Sequence, residues 1–259
     1  KMNTVFAKLM YARQVSNSIH TLDPTVTTEQ AAQVTPKARK LLDDTQKHLE
    51  QHPDGQVILY SNLVRGGADV LTAGLKARNI PFGVFIGKDR EVEGIVSSDM
   101  ARQKAVTDYL SGKNKAIIIS GAGAEGLDLK NTTMIQMFDG HFNPERILQA
   151  EARGIRIGGQ ANRPQKERSV TVKRYESTLQ DPSFFARLFG KKRSTSVDEW
   201  VYETARKKDY LNKKFMTAVQ SAPQAKSPEL ATLLQIPENK GVELPKDYTR
   251  KYTKRYRSP

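Results

Sequence analysis

The most constraining feature of this sequence is a series of short, mostly apolar stretches separated by helical ones. Gln56–Ser61 (QVILYS), Pro81–Ile86 (PFGVFI), Ala116–Ser120 (AIIIS) and Thr133–Phe138 (TMIQMF) offer almost nothing for water to solvate. A strand with one solvated face alternates in polarity, whereas a strand covered on both faces does not. Between them, Gly67–Arg78, Ser98–Leu110 and Pro144–Arg153 carry apolar residues at helical spacing, and Arg168–Arg174 (RSVTVKR) reads as a last strand. Strands alternating with helices predict an α/β fold, a parallel sheet sandwiched by helices. Ligands of such sheets bind in the loops beyond the carboxyl ends of the strands.

The flanks differ in character. Val5, Phe6, Leu9, Met10 and Val15 sit at helical spacings, so residues 1–20 are expected to form a helix with an apolar face. Residues 21–36 are polar, contain Pro24 and Pro36, and read as a linker. Thr35 as cap and Pro36 in the first turn open a helix through Leu41, Leu42 and Leu49. Ser196 and Glu199 have capping-box spacing at the start of a helix running to Met216, with Trp200 expected in the core. The prolines and basic end of 220–259 suggest a tail that is extended or ordered only by a partner. The expected division is a leading helical segment and linker (1–34), a sheet lobe (35–180), a helical brace (181–219) and a basic tail (220–259).

Charge locates the partner. The chain of 259 residues has a formal net charge of +14. Residues 1–152 are nearly balanced at +1, whereas 153–214 carry +9 and 240–259 carry +5. A basic half suggests a polyanion. Zero cysteine excludes a disulfide scaffold, a thiolate metal site and a cysteine nucleophile. His20, His48, His52 and His141 show no metal-ligand spacing. No apolar run approaches the ~20 residues that span a bilayer, and no signal-peptide layout opens the chain, so an intracellular protein without a membrane partner is expected.

Two loops follow predicted strands. Ser120-Gly121-Ala122-Gly123-Ala124-Glu125-Gly126-Leu127-Asp128 is glycine-rich, which lets backbone N–H groups approach an anion, and Asp128 suits a sugar hydroxyl. In the second, Gln149, Arg153 and Arg156 are spaced i, i+4, i+7 and share one helical face. Two guanidinium groups beyond a sheet suit the charge on a transferring phosphoryl group.

In order, these segments resemble the second, RecA-like lobe of superfamily-two helicases and translocases, and among them the Swi/Snf-like branch. Gln149-Ala150-x-x-Arg153-x-x-Arg156-Ile157-Gly158-x-Gln160 is similar to motif VI. Ser120–Leu129 followed by Met134–Asp139 resembles motif V, and Val57–Asn62 resembles motif IV. Asp139-Gly140-His141-Phe142-Asn143-Pro144 resembles the family's Asp-x-x-Trp-Asn-Pro, Leu9–Asn17 its Leu-Arg-x-x-x-Asn helix, and Thr35–Leu42 its lobe-opening Ser-x-Lys-x-x-x-Leu. The likeness runs from about residue 5 to about residue 214. Phe142 stands for the usual Trp, Glu125 for a small residue, and Gly159 lengthens motif VI by one. Such departures resemble a viral or phage relative.

The resemblance implies ATP and Mg²⁺ as cofactors, a first RecA-like lobe as partner, and DNA, with RNA open, as the polymer. It implies that Arg153 and Arg156 reach the γ-phosphate, that Gln149 positions the attacking water, and that Glu125, Gly126 and Asp128 border the nucleotide. Ser61, Asn62, Ser120, Gly121 and Ala122 would contact nucleic-acid phosphates. No Gly-x-x-x-x-Gly-Lys-[Ser/Thr] loop and no acidic pair after an apolar strand occur. The chain is therefore expected to be the half of an ATP-driven motor that does not hydrolyse ATP unaided. A non-hydrolysing RecA-like clamp is the alternative. A dinucleotide enzyme built on Gly121-x-Gly123-x-x-Gly126 is disfavoured, since that fingerprint belongs after the first strand.

Overall fold

The computed structural model describes residues 4–121, 127–152, 154–155, 168–179, 194–221 and 253–257. The strands are β1 (Gln56–Tyr60), β2 (Phe82–Phe85), β3 (Glu91–Val92), β4 (Ile95–Val96), β5 (Ala116–Ile119), β6 (Thr132–Met137), β7 (Ser169–Arg174) and β8 (Thr253–Arg257). The α-helices are α1 (Val5–Asn17), α2 (Thr28–Val34), α3 (Pro36–Gln51), α4 (Asp69–Ala77), α5 (Asp99–Leu110), α6 (Pro144–Ala152) and α7 (Val197–Ser221).

The main sheet has the order β2-β5-β1-β6-β7-β8. Its first five strands are parallel, and β8 joins antiparallel along Ser169–Lys173 of β7. The expected α/β class therefore holds. Alternation along β1 divides the core. Val57 and Leu59 face a layer with Leu41, Leu42, Leu71 and Leu75 from α3 and α4. Ile58 and Tyr60 face the other layer, with Tyr109, Ile147, Ala150 and Tyr202 from α5, α6 and α7. Burying each such aliphatic side chain contributes about 1.5–3 kcal/mol, and Val57, Ile58, Leu59, Ile117, Ile118 and Ile119 are all fully buried. The one amide side chain inside β6, Gln136, is satisfied: it donates to Leu41 O at 2.9 Å and Tyr175 Oη at 2.8 Å and accepts from Thr45 Oγ1 at 2.6 Å.

Three expectations need amending. Residues 21–36 are not simply a linker, because they contain α2. A capping box starts it, with Gln30 N donating to Thr27 Oγ1 and Thr27 N to Gln30 Oε1, and the buried Ala31 and Ala32 seat it on the lobe. In α1 the apolar residues Val5 and Phe6 are 84% and 67% exposed, while the buried residues are Arg13 and Asn17. Trp200 is 46% exposed rather than in the core, and Val201, Tyr202 and Ala205 carry the buried side of α7. The Ser196–Glu199 capping box is present, with N–H···O distances of 2.8 and 3.1 Å.

Candidate functional site

A carboxylate at the end of β6 organises the strand ends. Asp139, 1% exposed, accepts from Asn62 N and Asn62 Nδ2 at 2.9 Å each, from Asn17 Nδ2 at 3.3 Å, and from Ser61 Oγ. Arg13 of α1 lies 3.6 Å from its Oδ1 and donates to Gly140 O. Asn17 is a relay: its Oδ1 accepts from Lys37 Nζ at 2.7 Å, and that ammonium continues to Asp198 Oδ2 at 2.5 Å. Asp198 also accepts from Ser16 Oγ and Ser177 N, both at 2.9 Å. A single polar seam thus ties α1, α3 and α7 to the ends of β1 and β6. Each charge is paired and hydrogen-bonded, as buried charges must be.

Beside this seam lies a cleft of about 600 Å³. The loops after four parallel strands meet there: Asn62–Arg65 after β1, Gly87 and Arg90 after β2, Ser120 and Gly121 after β5, and His141 and Phe142 after β6. Phe6, Met10, Arg13 and Gln14 of α1 form one wall, and Arg146 of α6 stands at another. This is the position that the parallel topology assigns to a ligand. Among the described residues, no carboxylate lines the cleft. Arg13 is spent on Asp139 and Gly140, whereas Arg65, Arg90 and Arg146 are exposed and have no ion-pair partner among the described residues.

Local chain geometry sets these groups. Arg65 precedes Gly66, whose φ of 66° suits glycine, and a Cβ there would lie 3.0 Å from Gln14 O. Asp69 pins the same bend by accepting from Gly66 N at 3.0 Å and Gly67 N at 2.8 Å. Phe142 is clamped between the Arg13 guanidinium, 5.3 Å from its ring centroid, and the Trp200 ring at 5.5 Å. His141 is held below the ordinary histidine pKa, first by burial and then by the nearby Arg146 and Arg13 charges. An anion in the cleft would reverse that.

The sequence-predicted residues divide. Asn62, Ser120 and Gly121 line the cleft. Ser61 is fully buried, and its hydroxyl is turned to Asp139 and Leu63 O. Gln149 is exposed on α6, and neither it nor Asp128, which is 3.9 Å from Lys130, lines the cleft. Ala122, Glu125, Gly126, Arg153 and Arg156 lie outside the described residues. Gly154, between the two arginines, is described: a Cβ there would stand 2.9 Å from Ile135 Cδ1, so the chain rests directly on the sheet. Sequence reasoning missed Arg65, Arg90 and Arg146. The first two follow strand ends, and that placement was the available signal. Among the described residues, no three His, Asp or Glu side chains converge to hold a metal ion, and no helix is long and apolar enough to cross a membrane.

Residues 38–158 match the family model for the helicase conserved C-terminal domain. Over 181 residues the chain is 30% identical to an Acanthamoeba polyphaga mimivirus protein named ATP-dependent RNA helicase L538, covering 70% of this chain and 37% of that one. Over 187 residues it is 25% identical to an African swine fever virus protein named termination factor NPH-I homolog, covering 71% and 26% respectively. The chain thus spans little more than a third of these relatives at most. Among solved structures, the C-terminal part of the Fun30 ATPase domain aligns at a TM-score of 0.47 and 18% identity, over 82% of this chain and 63% of that one.

Proposed function

We propose that this chain is the second lobe of an ATP-driven nucleic-acid translocase or helicase of the Swi/Snf-like branch. The carrying observation is the arginine-lined cleft at the carboxyl ends of the parallel strands, with no carboxylate among its described lining residues. Guanidinium groups and strand-end N–H and hydroxyl donors suit a phosphate backbone and read no bases. Asn62, Ser120, Gly121 and Ala122 would contribute there, while Ser61 acts one step behind, through Asp139.

ATP, held with Mg²⁺ mainly by a first RecA-like lobe, would supply the driving chemistry. From this chain, Arg153 and Arg156 would neutralise charge on the γ-phosphate oxygens, and the exposed Gln149, one turn earlier on α6, would orient the attacking water. Glu125, Gly126 and Asp128 would border the nucleotide. Gly154, seated on Ile135, fixes the backbone between the two arginines. The relatives named helicase and termination factor support such a motor.

The test is the ATPase rate of a protein in which this lobe is joined to its first lobe. Arg153→Ala and Arg156→Ala should each lower the rate by about 10³-fold or more, with nucleic-acid affinity nearly unchanged. Normal hydrolysis by both variants would refute the arginine assignment. Nucleic-acid binding without hydrolysis by the unmutated protein would favour a clamp.

A further inference from the structure

The last turn of α6 carries a buried ion pair that neither the cleft nor the seam uses. Glu151 is 2% exposed, and its Oε1 accepts from Arg174 Nη2 at the end of β7. The Arg174 side chain is nearly as buried, and its charge acts on the phenol of Tyr202, buried on α7. Polar groups from three elements thus come together beneath the end of α6.

As a source of stability the pair is poorly built. Glu151 Oε2, Arg174 Nε and Tyr202 Oη are all buried with no hydrogen-bond partner among the described residues. A partly satisfied buried ion pair stabilises no better than apolar side chains of the same size, and often less. What it supplies instead is geometry. A carboxylate that must meet one guanidinium restricts the rotation of the helix that carries it.

That rotation matters at this position. Successive residues turn by about 100° on a helix, so side chains two apart lie on nearly opposite sides. Gln149, two before Glu151, is exposed where Glu151 is buried. Arg153, two after it, shares the helical face of Gln149 by its spacing. Three residues after Glu151, Gly154 rests against Ile135, Ile58 and Thr132 of the sheet. Residue 153 is flanked by two anchored positions, the ion pair at 151 and the glycine seat at 154.

We propose that Glu151 is a positioning residue: by pairing with Arg174 at the end of β7, it sets the rotation of α6 at which Arg153 reaches the γ-phosphate. This rests on the arginine assignment of the proposed function and adds what aims the arginine.

The experiment is steady-state ATP hydrolysis by the protein in which this lobe is joined to its first lobe, with thermal unfolding followed for each variant. Glu151→Gln keeps the size of the side chain and removes its charge. It should lower kcat roughly 10- to 100-fold, as a misplacement on the order of 1 Å does, with KM for ATP within about twofold and the unfolding temperature unchanged. A residue that merely held the fold together would not split kcat from KM in this way. Adding Glu151→Gln to Arg153→Ala should cost nothing further, because the glutamate acts through the arginine. If Glu151→Gln unfolds early, the paired replacement Glu151→Leu with Arg174→Met, which strands no charge, takes its place with the same expectations. Unchanged kcat, losses that multiply in the double variant, or early unfolding of both replacements overturns the positioning role while leaving the arginine assignment intact. Normal hydrolysis by Arg153→Ala overturns the arginine assignment itself, and the positioning role with it.

Discussion

The cleft and the seam beneath it use the same residue types for opposite ends. In the seam, Arg13 and Lys37 are buried against Asp139 and Asp198, with every charge answered by another. In the cleft, Arg65, Arg90 and Arg146 stand exposed a few residues away, without such partners among the described residues. Charges answered within the molecule hold helices to a sheet. Charges left open are positioned for something outside it. The difference teaches that net charge alone is a poor guide to a binding surface, because part of it is consumed as structure.

Removing one member of the seam should have the largest effect on the fold. Asp139→Ala leaves Arg13 buried without its counter-charge and takes acceptors from Asn17, Ser61 and Asn62, so urea unfolding should show a loss of about 3–5 kcal/mol. Lys37→Met should be comparable in direction, since it strands Asp198. A loss below about 1 kcal/mol in both would mean that the seam is not structural.

The exposed arginines should separate the two regions from the other side. Arg65→Ala, Arg90→Ala and Arg146→Ala should each change unfolding stability by no more than about 0.5 kcal/mol. Each should weaken oligonucleotide binding similarly for all sequences and flatten its salt dependence by about one unit of slope. Destabilisation as large as that of Asp139→Ala would erase the distinction.

The smallest effect concerns His141. Its pKa is depressed in the fold, so the stability it contributes is complete above the ordinary histidine value and is lost as pH falls toward the depressed one. A phosphate in the cleft favours the charged imidazole, so binding takes up a proton and tightens as pH falls through the ordinary histidine value and below. NMR titration of the His141 ring with and without oligonucleotide measures this, and a pKa unmoved or lowered by binding would place the anion elsewhere.

The sheet was largely legible. β1, β2, β5, β6 and β7 all fall within a residue of the apolar stretches that predicted them, because burial on both faces leaves little room for other residue types. The seam was not. Arg13, Lys37 and Asp198 sit on helices, where periodicity assigns polar residues to water, and only the fold brings them within hydrogen-bonding reach. The same reasoning placed Val5, Phe6 and Trp200 inside, although they are exposed. The helix in residues 28–34 lacked a long apolar face, but its Thr27–Gln30 capping box was a readable signal. Of the candidate site, the strand-end rule found Asn62, Ser120 and Gly121. Arg65 and Arg90 obey the same rule, but an exposed arginine in a loop has the same sequence signature as an ordinary solvated surface charge. Ser61 has the right residue type at a strand end, but the fold uses it inward.

The most direct test of the cleft is the salt dependence of oligonucleotide affinity for the chain and for the triple variant Arg65→Ala, Arg90→Ala, Arg146→Ala. With the fold unchanged by thermal unfolding, the triple variant should bind far more weakly, and its slope of log affinity against log salt should be shallower by about 2 to 3. An unchanged slope and affinity would contradict the assignment of nucleic-acid phosphates to this cleft.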